Sequence, residues 1–393
     1  MRRRDKGALL ALVAMAACGG AAATQGQGAT IPQPSATPIA IESPPGPASA
    51  PVALTAIPPT TASVAPTVPD STAMAPLPPP KPVTIRLGAG ELAAGDDAFE
   101  KGDLAGAQKH YAAAPAGAAA TVGLARVRIA KLDLPLDYAA AKGSAAVTAV
   151  AVEVARAVQA APAFGPAYVE LGRARLLLGD APGAIDSLRK GIELLPDEPE
   201  AHSQLGVALL ATGHAADAVL ELARATQLDL GSGARHGNLG TALLMAGRTQ
   251  EAIAEYETRA RIDDADARAH SDLGTALLST QDLERALAEL RRAVQLEPQR
   301  ATFHSNLGYA QQQAGHLDRA VAEYREALRL DGKLVSAWIN LATALAKDPR
   351  TRKEARADLE RARAIAPDDP RVKANLEELD ALQGGSAGKA VTP

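Results

Sequence analysis

A period of 34 residues constrains this 393-residue chain more than any other feature of its sequence. The motif reads Tyr168/Leu171-Gly172/Ala184, His202/Leu205-Gly206/Ala218, His236/Leu239-Gly240/Ala252, His270/Leu273-Gly274/Ala286, His304/Leu307-Gly308/Ala320 and Trp338/Leu341-Ala342/Ala355. The first five units start at Gly165, Pro199, Gly233, Ala267 and Ala301, each 34 residues after the last. A chain that repeats itself at this interval builds one supersecondary unit many times and buries its apolar faces by stacking the copies.

Within a unit, Leu205 and Leu209, then Val219 and Leu222, fall at helical spacing, and Gly213 or Gly315 separates the two runs. The spacing therefore predicts two antiparallel amphipathic helices per unit. Gly at the eighth position and Ala at the twentieth lack bulk and allow close approach, at the short end of the roughly 8–10 Å interaxial range. Pro196, Pro298 and Pro367 remove a backbone donor and end the second helix. Hydrophobic residues make up 47% of the chain but aromatic ones only 3%, so the core has to be built from Ala, Leu and Val.

These residues resemble the tetratricopeptide repeat family over about half of the chain. The resemblance implies an all-α protein: a right-handed α-solenoid with six repeats over residues 165–367. Residues 87–164 read as degenerate helical repeats, with Glu91 to Lys101 and Leu104 to Ala114 helical around a Gly102-Asp103 turn. Thr121 to Leu132 and Ala145 to Ala160 follow, with Asp133-Leu134-Pro135 as a break. Residues 368–383 read as a capping helix with Leu376 and Leu379 inward and Lys373, Glu377 and Glu378 outward, and residues 384–393 as a disordered tail.

The chain opens with a targeting segment. Arg2, Arg3, Arg4 and Lys6 precede an apolar run from Ala8 to Ala17 that is short for a bilayer span. Met15-Ala16-Ala17-Cys18 resembles the lipobox of bacterial lipoproteins, with Met15 where that family prefers Leu. The resemblance implies cleavage within residues 1–18 and lipidation of Cys18. Ordinary cleavage after Ala21-Ala22-Ala23 and an uncleaved anchor are the other readings. Cys18 is the single cysteine, which excludes an intramolecular disulfide. Gly19, where enterobacterial inner-membrane lipoproteins carry Asp, implies an outer-membrane lipoprotein facing the periplasm. Residues 19–86, rich in Pro, Ala and Thr and nearly free of charge, read as a disordered tether.

The formal net charge is −4, and loss of Arg2, Arg3, Arg4, Lys6 and Asp5, a net +3, takes the mature chain to −7. That balance disfavours nucleic acid, whose affinity comes from clustered Lys and Arg. The sequence contains no His-Glu-x-x-His, no Gly-x-Ser-x-Gly and no phosphate loop after a strand. No cofactor, metal, catalytic residue or small-molecule substrate is expected. His202, His236, His270 and His304 recur at the fourth position, but equivalent positions of stacked pairs lie roughly 10 Å apart, too far for one Zn²⁺ with ligands at about 2.1 Å. They read as packing residues, like Tyr168 and Trp338 at the same place.

One constellation stands out. Gln204, Asn238, Asp272, Asn306 and Asn340 hold the sixth position of five consecutive units. By family resemblance this face lines the concave groove, together with Thr275 and Tyr309. A carboxamide offers a donor and an acceptor to a peptide unit, and a ladder spaced about 10 Å matches every third residue of an extended chain rising about 3.3 Å per residue. The arrangement resembles the asparagine ladder in the superhelix of O-GlcNAc transferases, without a transferase domain. The equal alternative is that these amides bond their own scaffold. Arg259, where a small residue is expected, and the one-residue insertion before Lys353-Glu354 predict local irregularity in the third and sixth units. No basic cluster of the carboxylate-clamp kind is present.

The expectation is a non-enzymatic, membrane-tethered adaptor that binds a protein or extended peptide partner in its groove. Its layout resembles tetratricopeptide lipoproteins that assist secretin or pilus assembly and those that recruit cell-wall enzymes. The alternative is an accessory subunit or cryptic hydrolase of cell-wall metabolism.

Overall fold

The computed structural model describes residues 85–134 and 138–387. Among them every regular element is an α-helix. Four helices come first: α1 (Glu91–Glu100), α2 (Leu104–Ala113), α3 (Ala118–Lys131) and α4 (Ala145–Ala160). Five pairs in 34-residue register follow: α5/α6 (Gly165–Leu178, Ala181–Leu194), α7/α8 (Pro199–Ala211, Ala215–Leu228), α9/α10 (Gly233–Met245, Thr249–Ile262), α11/α12 (Ala267–Ser279, Leu283–Leu296) and α13/α14 (Ala301–Gln313, Leu317–Leu330). A sixth pair, α15/α16 (Val335–Ala346, Arg352–Ile365), precedes α17 (Pro370–Ala387). The signal segment, Cys18 and the linker up to residue 84 lie outside the described residues, as does the tail from residue 388. The last helix runs to Ala387, past the boundary read from the sequence, and Ile85 and Arg86 belong to the described structure although their composition assigned them to the linker.

The small positions work as their residue types require. The twentieth-position residues Ala184, Ala218, Ala252, Ala286, Ala320 and Ala355 are fully buried. At the eighth position, a Cβ added to Gly240 would lie 2.8 Å from Tyr256 Cε1, and one added to Gly308 would lie 2.7 Å from Tyr324 Cε1. The first helix thus rests directly on a large side chain of the second. The intra-pair turn needs a left-handed residue: Gly179, Gly213, Gly247 and Gly315 take it with φ of 76–82°, and Gln281 takes the same place with φ 61° in the fourth pair. A side chain is rarely accommodated there, so Gln281 bears strain that its glycine counterparts avoid.

Each second helix packs on the first helix of the next pair, and the first helices also touch one another, α5 on α7, α7 on α9, α11 on α13 and α13 on α15. No second helix packs comparably on the next second helix. Layers that approach on one side and spread on the other define a curve, so the first helices form its inner, concave wall. The array is an α-solenoid. At its far end Val372, Leu376 and Leu379 of α17 close the core formed by α15 and α16.

The insertion in the sixth pair lengthens its turn, where Thr351 donates to the Leu345 and Asp348 carbonyls. The fourth-position histidines are fixed by a repeated pair of bonds. Nδ1 of His202, His236, His270 and His304 lies 2.6–2.7 Å from Glu221, Glu255, Glu289 and Glu323 of the same pair's second helix. Nε2 lies 3.0–3.1 Å from the carbonyls of Pro196, Leu230, Asp264 and Pro298 in the preceding inter-pair turn. Trp338 makes the second bond through its indole N–H to the Gly332 carbonyl at 2.9 Å. In the first two helices the residues are exchanged, Glu91 on α1 meeting His110 on α2 at 2.7 Å.

At His202 the Pro196 carbonyl only accepts, so Nε2 carries a proton, and the ionised Glu221 carboxylate also only accepts, so that pair is complete when the ring holds both protons. For His202, burial pulls the imidazole down, but Glu221 and the Pro196 carbonyl outweigh it and hold it above the ordinary 6.5. A cation's partner that raises the folded value contributes stability below pH 6.5, and that contribution is lost as pH rises through the folded value. The melting-temperature deficit of His202→Phe relative to wild type is therefore expected to be larger at about pH 6 than at about pH 8.5. A deficit that grows with pH would contradict this protonation state.

Candidate protein-binding groove

The sixth-position residues sit on the inner wall, but the structure divides them. Gln204 and Asn238 are buried, whereas Asp272, Asn306 and Asn340 are partly exposed, as are Thr275 and Tyr309. Gln204 Nε2 donates to Glu200 Oε1 at 2.8 Å. Asn238 Nδ2 donates to Ser203 Oγ at 3.5 Å and Asn306 Nδ2 to Ser271 Oγ at 3.1 Å. Each bond reaches back to the fifth position of the preceding pair, so the Asn side chain helps to set the joint between repeats. Ser305 occupies the corresponding place before Asn340, whose amide has no hydrogen bond among the described residues.

The joint between α9 and α11 follows a different chemistry. Its fifth position is Gly237, and a Cβ there would meet Arg259 Nη1 at 2.8 Å. The Arg259 side chain passes through the space that glycine leaves. It donates from Nη1 to Asp272 at 2.7 Å and from Nη2 to Asp266 at 2.8 Å. Gly237, Arg259 and Asp272 together replace the Ser–Asn bond, which accounts for the arginine where Gly191, Ala225, Ala293 and Ala327 stand in other pairs. Burial pushes the Asp272 carboxyl up against the pull of Arg259.

At its N-terminal end the inner wall is ionic. Glu170, in α5, holds the sixth position of the first pair and is 4% exposed. Arg126 of α3 donates to Glu170 at 3.3 Å and to the Ile85 carbonyl at 2.7 Å, and reaches Asp96 at 3.5 Å. Asp96, fully buried, accepts from the Leu87 N–H and the Tyr111 hydroxyl, both at 2.8 Å. The main chain from Ile85 to Leu87 is thus gripped through its own C=O and N–H groups.

Further along, Thr275 Oγ1 turns back to the Ser271 carbonyl at 2.8 Å, and Thr343 donates to Asn375 of the capping helix at 3.1 Å. Tyr309 packs half-buried between two core clusters. Polar atoms that remain available therefore concentrate on α11, α13 and α15, beside the partly exposed Leu244 and Met245 of α9. The groove presents hydrogen-bonding groups of both kinds with little net charge, suited to the main chain and neutral side chains of another polypeptide. Among the described residues no group of three or more His, Cys, Asp or Glu is placed to hold a metal.

Sequence reasoning missed Ser203, Arg126, Glu170 and the glutamates facing the histidines. The glutamates were legible, since each follows its histidine by 19 residues. Arg126 was not, because it lies outside the 34-residue register.

A family model described as tetratricopeptide repeat matches residues 169–235, 203–269 and 305–370, and one described as TPR repeat matches 274–315. Together they cover half of the chain. No curated protein matches the sequence. Among solved structures, the Cut9–Hcn1 hetero-tetramer of the APC/C is 17% identical, with a TM-score of 0.53, covering 74% of this chain and 55% of that one. That likeness shows the fold. MamA protein is 25% identical, covering 43% of this chain and 92% of its own, with a TM-score of 0.39. YrrB, described as a TPR protein with an unusual peptide-binding site, is 21% identical over 49% of this chain and 99% of its own, with a TM-score of 0.38.

Proposed function

Because the chain belongs to the tetratricopeptide repeat family, whose members are protein-interaction scaffolds, we propose that it is an envelope adaptor that holds an extended partner segment in its concave groove. The observation that carries this reading is the partly exposed run of Asp272, Thr275, Asn306, Tyr309 and Asn340 along one inner wall. Their spacing of about 10 Å suits a strand-like peptide, and peptide groups desolvated by binding need the donors and acceptors that they carry. No nucleophile, base and orienting group converge here, which favours an adaptor over the alternative of a hydrolase.

The double variant Asn306→Ala/Asn340→Ala separates partner binding from folding. Loss of Asn306 removes one bond to Ser271, a stability cost of about 1 kcal/mol. Partner affinity should fall further, by about 1–3 kcal/mol for each peptide group left unpaired. Melting temperature and affinity measured on one preparation distinguish the two. Unchanged affinity with lowered stability would overturn the peptide-ladder reading.

The tether reading rests on the sequence ahead of the solenoid. Cys18, lipidated, fixes the chain to a membrane, the outer one facing the periplasm, with the Pro-rich stretch as its tether. Cys18→Ser is expected to abolish fatty-acid incorporation and release the protein from the membrane fraction. A wild-type protein that incorporates no labelled fatty acid and begins downstream of Cys18 would refute the anchor.

A further inference from the structure

The carboxylate that faces each fourth-position histidine survives in the sixth pair although the histidine does not. Glu221, Glu255, Glu289 and Glu323 each stand three residues after the twentieth-position alanine, and Asp358 stands three residues after Ala355. The fourth-position residue of that pair is Trp338. An indole has a single N–H, and Trp338 gives it to the Gly332 carbonyl. Asp358 therefore lacks the donor that its counterparts have. Its Oδ1 accepts from Arg361 at 2.7 Å, while Oδ2, buried, makes no hydrogen bond among the described residues. Buried polar atoms are normally satisfied, so an acceptor kept in this state marks a place for a donor. Burial pushes the Asp358 carboxyl up against the pull of Arg361, and a second donor would relieve that cost.

Asp358 forms part of the wall of a cavity of about 290 Å³ between α14, α15 and α16. Leu328, Trp338 and Leu341 give the cavity an apolar side, and Arg329 and Arg361 stand beside them. Ligand sites run to roughly 300–1,000 Å³, so this one suits a small molecule. Arg361 lies over the Trp338 ring, 5.0 Å from its centroid, with its side chain 60% exposed. Movement of this one side chain uncovers the carboxylate. Arg329 is paired with Glu326 on its own helix, an exposed pair of small net worth. Both guanidiniums can turn to an anionic group while Asp358 takes a cationic one.

We propose that this cavity binds a free α-amino acid with an apolar side chain. Its ammonium donates to Asp358 Oδ2, Arg329 and Arg361 hold its carboxylate, and its side chain packs against Leu328, Trp338 and Leu341. A simple cation fits less well, because Arg325, Arg329 and Arg361 outnumber Glu354 and Asp358 in the wall. A simple anion leaves Oδ2 unpaired. The zwitterion meets both demands. The site lies among the second helices, away from the inner wall, so it stands or falls independently of the groove reading.

The chain has one tryptophan, so its indole N–H resonance reports on this cavity. Titration of the full chain with L-leucine is expected to shift that resonance saturably. N-acetyl-L-leucine lacks the ammonium, and L-leucinamide lacks the carboxylate and resembles the N-terminus of a polypeptide. Each should bind at least about tenfold more weakly, having lost a charge-assisted bond. Asp358→Asn should lower leucine affinity by a similar factor. Arg329→Gln, at an exposed position where folding is not at stake, should weaken leucine and leave leucinamide unchanged. The proposal is overturned by the absence of a saturable shift with leucine, by N-acetyl-L-leucine binding as tightly as leucine, or by full leucine affinity in either variant. Leucinamide binding as tightly as leucine would overturn it in favour of a chain N-terminus.

Discussion

Arg126→Met is expected to cost about 3–5 kcal/mol, the largest single loss of any substitution considered for this chain. The guanidinium, 3% exposed, is the positive charge between Asp96 at 0% and Glu170 at 4%. Methionine fills much of the volume but removes the charge between two buried carboxylates, and the bonds left to Asp96 from the Leu87 N–H and the Tyr111 hydroxyl, with the 3.5 Å pair of Glu170 and Arg173, offset their desolvation penalty only in part. The same change frees the Ile85 carbonyl. Repeat arrays unfold in part before they unfold in whole. Hydrogen exchange should therefore show α1 to α3 losing protection while α11 to α16 keep theirs. Uniform loss along the array, or a cost below about 1 kcal/mol, would contradict this account of the N-terminal end.

Gly240→Leu is expected to be the most damaging change at a repeat position, at about 1–3 kcal/mol from overpacking. The added Cβ alone would lie 2.8 Å from the Tyr256 ring. Tyr256 has nowhere to move, being 1% exposed and bonded through its hydroxyl to Thr241 Oγ1 at 3.0 Å. Helices α9 and α10 must separate, and the effect should spread first to α8 and α11, which pack on them. Denaturation with a probe at Trp338, three pairs away, should change less than far-ultraviolet circular dichroism. Equal shifts in both would show that the array unfolds as one unit.

The helices were legible because the 34-residue period forces small residues to the same two places in every pair, and the structure fills them as their size demands. The groove was less legible for a definable reason. Periodicity shows which positions share a face, but the Asn238–Ser203 and Asn306–Ser271 bonds join residues 35 apart, across the boundary that defines the unit. Seen within one unit, an Asn at the sixth position has no visible partner, so the groove-facing and scaffold-bonding readings stay equal. The Gly237–Arg259–Asp272 set was half visible: Arg259 registered as an anomaly, while the glycine and the aspartate that explain it lie on two other helices. Arg126 and Ile85 belong to non-repeating sequence, where no register predicts what a buried charge will meet.

The central claim is that a partner segment lies on the inner wall of α11 to α15. A photo-crosslinking amino acid placed at Tyr309, on that wall, and separately at Leu220, 69% exposed on the second helix α8, tests it in cells. The account predicts a discrete crosslinked protein from position 309, lost in the Asn306→Ala/Asn340→Ala background, and none from position 220. Crosslinking from position 220 with none from 309 would place the partner on the outer face and contradict the account.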